Sequence, residues 1–129
     1  MENVVKRTLE KMKNDRNYHG FAHTLKEDDD RLELFTEQYN ERGFDDSETW
    51  SLYNSILSYA IPRLKRFREI NPCFPMGMDE NEWNEIIDSI IIAFEILNNS
   101  DFIIYTAEQK KLIHDGMEAF SKNITRLWW

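Results

Sequence analysis

Three carboxylates, Asp45, Asp46 and Glu48, stand with Ser47 and Trp50 in the stretch GFDDSETW. Oxygen ligands of this kind suit a hard divalent cation such as magnesium or calcium. The same residues also serve a helix start, where acids and a serine satisfy free N–H groups and complement the positive helix end. The second use is favoured, because the acids follow Gly43, a helix stop signal, and precede an apolar stripe. Asp46 and Ser47 are then the expected caps and Trp50 the first core anchor of a helix over 47–70. Asp45 and Glu48, expected to point away from that core, become candidates for contact with a partner.

Glu82, Glu85 and Asp88 form a second acidic series, E-x-x-E-x-x-D. On a helix each carboxylate lies about 60° round from the one before, at roughly 100° per residue. All-helical nucleotide pyrophosphatases are similar in gathering such carboxylates around magnesium. One helix cannot complete that site, and a facing pair such as Glu37 and Glu41 would be needed. A solvated acidic face on an amphipathic helix explains the series more simply. His19 and His23 have zinc spacing, but Gly20 lies between them and a catalytic zinc needs a third protein ligand. His114 lies beside an apolar stripe, and for all three histidines a surface or packing role is favoured.

Arg63, Lys65, Arg66 and Arg68 concentrate positive charge inside an acidic chain. Arg63 with Arg66, and Lys65 with Arg68, are helix-surface neighbours, giving two short basic ridges. Arginine clamps phosphate bidentately and a nearby aromatic such as Trp50 stacks a base, so these residues could sequester a small anionic nucleotide. Pairing with acidic faces of neighbouring helices is the favoured alternative.

The periodicity that must position these residues is helical. Trp83, Ile86, Ile87, Ile90, Ile91, Phe94 and Leu97 recur at steps of three and four. Asp79 with Glu82 reads as a capping box, and Asn98-Asn99-Ser100 as the stop. After a short apolar link from Phe102 to Tyr105, Thr106 with Gln109 makes a second box. It opens a stripe of Leu112, Ile113, Met117, Phe120, Ile124 and Leu127. The 79–98 and 107–127 helices should therefore form an antiparallel hairpin. Trp50, Tyr53, Ile56, Leu57, Ala60, Leu64 and Phe67 mark a third stripe, interrupted by Pro62, where a kink or restart is expected. Asn71 to Met78 carries two prolines and a glycine and reads as an irregular crossover. Leu32, Phe35 and Tyr39 fit a helix ending near Gly43, while Val4, Val5, Leu9 and Met12 give a weaker one. The expected fold is one all-α domain over 1–129, a compact bundle of four to five helices, with 1–24 peripheral or mobile.

Composition agrees. The chain has 129 residues, 41% hydrophobic, with only four glycines and three prolines, too few for a turn-rich sandwich or barrel. The lone Cys73 excludes an internal disulfide and a cysteine zinc cluster, which suits a reducing cytoplasm. No window approaches the roughly 18 apolar residues of a membrane span, and the first twenty residues carry charges throughout. A soluble, cytoplasmic protein with no membrane association is expected. The net charge of -8 argues against general nucleic-acid binding.

GFDDSETWSL, then IPRLKRFREI, then DENEWNEIID with Ala93-Phe94-Glu95, resembles a group of short bacteriophage and prophage proteins. The likeness covers roughly Arg42 to Trp129. It implies a phage origin, and hence the host cytoplasm, but carries over no activity and no catalytic residues. The leading expectation is a non-catalytic accessory protein that binds stoichiometrically, to a host regulatory or defence protein. No cofactor is expected; magnesium enters only under the alternative of a metal-dependent nucleotide hydrolase. Trp128 and Trp129 are aromatic anchors for a protein partner or for self-association.

Overall fold

The structure, a computed structural model, describes residues 3–99 and 104–129. Every regular element among the described residues is helical: five α-helices and three short 3-10 turns. Two compact units divide the chain, Met1–Ile56 and Leu57–Trp129.

In the first unit, α1 (Asn3–Asn14) and α2 (Arg31–Arg42) each bury one face. Met12, Tyr18, Ala22, Phe35 and Tyr39 form the core, with Leu9, Phe21 and Leu25 against it. Tyr18 and Tyr39 meet edge to face, ring centroids 5.6 Å apart, a geometry that aligns ring edge with π face. Met12 is 1% exposed, so α1 contributes a side chain to this core. Gly43 ends α2 as expected: its φ of 84° is open to glycine, and its N–H bonds the Tyr39 carbonyl at 2.9 Å.

The expected helix over 47–70 is two elements. A 3-10 turn (Asp46–Thr49) comes first, and α3 (Leu52–Ile70) follows. α3 is assigned without interruption through Pro62, so the helix does not restart there. Its stripe divides. Leu57 and Leu64 are buried, with Ala60, Ile61 and Phe67 partly so. Trp50, Tyr53 and Ile56 are exposed, correcting their placement in the core; Trp50 is 84% accessible.

In the second unit, α4 (Glu80–Asn98) and α5 (Ala107–Asn123) pack as the antiparallel hairpin expected. Asp79 accepts the Glu82 N–H at 2.8 Å. Thr106 and Gln109 close a full capping box, 2.8 and 3.1 Å. Trp83, Ile87, Ile90, Ile91 and Phe94 are buried as their period required. The α5 stripe is corrected: Leu112, Met117 and Ile124 are exposed, and the buried face carries Gly116 with Ala119, Phe120 and Leu127 packed on the core. A Cβ at Gly116 would collide with the Ala93 Cβ and the Ser89 carbonyl, so its absence brings the two backbones together. Ser100 and the Phe102 end of the expected link lie outside the described residues.

Candidate functional site

Asp45, not Asp46, caps the 3-10 turn. Its backbone is extended, and its carboxylate accepts the Ser47 N–H at 2.7 Å, while Glu48 accepts the Asp45 N–H at 2.9 Å. Residues 18–22 close over this turn. The Tyr18 hydroxyl donates to Asp45 at 2.6 Å and accepts the Ala22 N–H at 3.0 Å. The Ser47 hydroxyl donates to Asp45 and accepts the Phe21 N–H at 3.0 Å, and the His19 N–H reaches Glu48 at 3.1 Å. Asp45 is 0% exposed and Glu48 is buried. The expectation that they point outward toward a partner is therefore corrected: buried polar groups must be hydrogen-bonded, and these are consumed in fastening one segment to another. Asp46 is the exposed member, held by Gln38 and Arg42.

Two tyrosines in this unit titrate late. Burial, and then the hydrogen bond to Asp15, push the Tyr39 hydroxyl up to about 12. Burial and the bond to Asp45 raise Tyr18 as well. With folded values above the ordinary value of about 10, the stabilisation is complete below pH ~10 and is lost as pH climbs through the folded values. An ultraviolet titration should show Tyr18 and Tyr39 still un-ionised in the folded protein at pH ~10, with the urea midpoint falling above that pH. Ionisation of Tyr18 and Tyr39 in the folded protein at or below pH ~10 would contradict this.

The basic ridge is engaged internally. Lys65 pairs with Glu95 at 2.9 Å, Arg66 with Glu69 at 3.0 Å and Arg68 with Asp88 at 3.0 Å. Arg63 stacks over the Tyr59 ring at 3.8 Å and donates to the Tyr59 carbonyl at 2.9 Å. Pairing with a neighbouring helix thus describes Lys65 and Arg68, while Arg66 pairs within α3. Trp50 belongs to the first unit and meets the edge of Phe21, centroids 6.0 Å apart. In the acidic series, Asp88 is held by Arg68, while Glu82 and Glu85 are exposed. Among the described residues no three His, Cys, Asp or Glu side chains gather closely enough to hold a metal ion. His23 packs its ring edge against Tyr18, and His114 lies 3.3 Å from Glu118 on the surface of α5.

The concave feature of the second unit was not nominated by spacing. The crossover after α3 is irregular as expected: the Asn71 side chain accepts the Cys73 N–H at 3.1 Å, and Gly77 turns the chain with φ 87°. Its residues Cys73, Phe74 and Pro75 wall a cavity of about 260 Å³, completed by Trp83 from α4 and by Arg126 and Trp128 beyond α5. Trp83 is 2% exposed, and its indole N–H has no hydrogen-bond partner among the described residues. Arg126 donates to the neutral side chain of Asn123 at 3.3 Å. Phe74, Trp128 and Trp129 are exposed.

No protein-family model, curated protein or solved structure matches this chain.

The site chemistry therefore rests on geometry. Two apolar features stand out: the cavity, and the uncovered start of α3, where Leu52 joins Trp50, Tyr53 and Ile56 at the surface. Of the cavity residues, only Trp128 was expected from sequence to meet a partner. The available signal was a proline-rich crossover running into a tryptophan-bearing helix.

Proposed function

We propose that this chain is a non-catalytic accessory protein of bacteriophage or prophage origin, acting in the host cytoplasm by stoichiometric binding to a host regulatory or defence protein. The observation that carries the reading is the exposed group of Trp50, Leu52, Tyr53 and Ile56 at the start of α3. Single exposed apolar residues are ordinary, but a contiguous group marks an interaction surface, and interface centres are enriched in Trp and Tyr. This group is also held in place. The Trp50 N–H bonds the Ser47 carbonyl at 3.3 Å, the Ser55 hydroxyl bonds the Glu48 carbonyl at 3.1 Å, and the Asp45 network fastens the turn between them. A preorganised aromatic surface loses less entropy on association.

The resemblance of the GFDDSETW, IPRLKRF and ENEWNEIID blocks to phage proteins supports the origin. Net charge of -8 supports a partner with a basic rim over one that is anionic. Among the described residues no helix is long and apolar enough to cross a membrane. Nucleotide sequestration by the ridge is not favoured, since Lys65, Arg66 and Arg68 would first have to leave their carboxylates. Hydrolysis through Glu82, Glu85 and Asp88 is not favoured either, with Asp88 committed to Arg68.

Affinity purification from host cells, followed by reconstitution from purified components, tests this. A one-to-one complex is expected for the native chain. Truncating one hot-spot aromatic costs about 2 kcal/mol, roughly 30-fold in Kd, so Trp50→Ala with Tyr53→Ala should remove it. Unchanged binding by that variant, with loss instead in Arg63→Glu plus Arg66→Glu, would overturn the assignment. Concentration-dependent dimerisation abolished by the aromatic variant would redirect it to self-association.

A further inference from the structure

We propose that the cavity between the 71–75 crossover, Trp83 and the 126–128 segment is a binding site for a small aromatic monocarboxylate. Its walls are apolar and largely aromatic, with Phe74, Pro75 and Trp128 beside Trp83. Such surfaces select flat apolar bodies by offset or edge-on stacking. Size narrows the choice. An apolar cavity of roughly 150 Å³ takes a benzene ring, so one of about 260 Å³ has room for a ring with a short side chain or a fused pair of rings.

Two polar observations specify the rest of the ligand. A buried tryptophan ordinarily finds an acceptor for its N–H, and leaving one unmade costs about 1–3 kcal/mol. The Trp83 N–H, in a side chain that lines this cavity, lacks one among the described residues. Lys65, Arg66, Arg68, Lys111 and Lys122 each reach a carboxylate, whereas among the described residues Arg126 donates to the Asn123 amide oxygen. A guanidinium with free donor capacity at the rim of an apolar pocket fits a carboxylate bidentately. One cation in a chain of net charge -8 fits a monoanion, not a phosphate-rich ligand. Cys73, exposed and the chain's lone cysteine, lies at the wall and supplies a reporter. This site is independent of the α3 surface.

The experiment titrates the full chain with indole-3-acetate, 2-naphthoate, the two corresponding amides and hexanoate. Side-chain indole N–H resonances of the four tryptophans are followed by NMR, alongside the rate of Cys73 modification by a thiol reagent. Both acids should shift the Trp83 indole resonance and slow Cys73 modification, with hexanoate weaker. A charge-assisted hydrogen bond contributes about 1.5–3 kcal/mol, so the amides, and the acids on Arg126→Gln, should bind about tenfold or more weakly. Arg126 is exposed, so this variant retains the fold, which its unchanged resonances elsewhere would verify. An unmoved Trp83 resonance with both acids at millimolar concentration would overturn the site. Equal binding of acid and amide, or no effect of Arg126→Gln, would overturn the carboxylate assignment.

Discussion

Replacing Asp45 with alanine is expected to destabilise the first unit by about 3–5 kcal/mol, on the scale of a small domain's whole stability of roughly 5–15 kcal/mol. The reason is the number of donors it satisfies. The Tyr18 hydroxyl, the Ser47 N–H and the Ser47 hydroxyl all converge on this one carboxylate, which is 0% exposed. Alanine leaves them facing each other across a site that water does not reach, and each unsatisfied buried polar group costs about 1–3 kcal/mol. Asparagine should fall between, because its oxygen replaces one acceptor while its NH₂ meets a donor. Asp46→Ala is the control: its carboxylate also bonds Arg42 and Gln38, but at the surface, where solvent screening makes the loss small. Urea unfolding followed by circular dichroism distinguishes the outcomes. Equal, small losses for Asp45→Ala and Asp46→Ala would show that the network is not what fastens residues 18–22 to the turn.

Gly116→Ala should destabilise the hairpin of the second unit by about 1–3 kcal/mol, against its helix propensity. Alanine in a helix interior is favoured over glycine by about 1 kcal/mol, and on an isolated α5 the substitution would stabilise. Packing decides otherwise. The added methyl meets the Ala93 Cβ and the Ser89 carbonyl, neither of which is the end of a flexible side chain, so α4 and α5 must separate. Overpacking of this kind typically costs 1–3 kcal/mol and occasionally more. Gly116→Val should be worse, and Ala93→Gly in the Gly116→Ala background should restore part of the loss by vacating one of the two contacts. A raised melting temperature in Gly116→Ala would mean the helices do not approach as closely as described.

How much of this was legible in the sequence follows from which residues act locally. The α4 stripe, the Thr106–Gln109 box and the Gly43 stop were readable because period and capping depend on neighbours a few residues away. The α5 stripe was readable only in part: Phe120 and Leu127 pack on the core, but the close approach to α4 is set by a glycine that carries no hydrophobic signal and matters through what lies opposite. GFDDSETW was misread for a similar reason. Its outward Asp45 and Glu48 and inward Trp50 assumed a helix packed on its own neighbours, whereas residues 18–22, distant in sequence, supply the donors that bury the acids. Cys73 was read only as a lone thiol and Trp83 only as a member of the α4 stripe, since a cavity is a property of three separated segments.

The partner-binding surface proposed for this protein is the aromatic start of α3. Hydrogen–deuterium exchange on the reconstituted complex tests it most directly. Residues 50–56 should gain protection on complex formation, while 63–68 and 71–75 exchange as in the free chain. Protection confined to 63–68 or 71–75, with 50–56 unchanged, would contradict it.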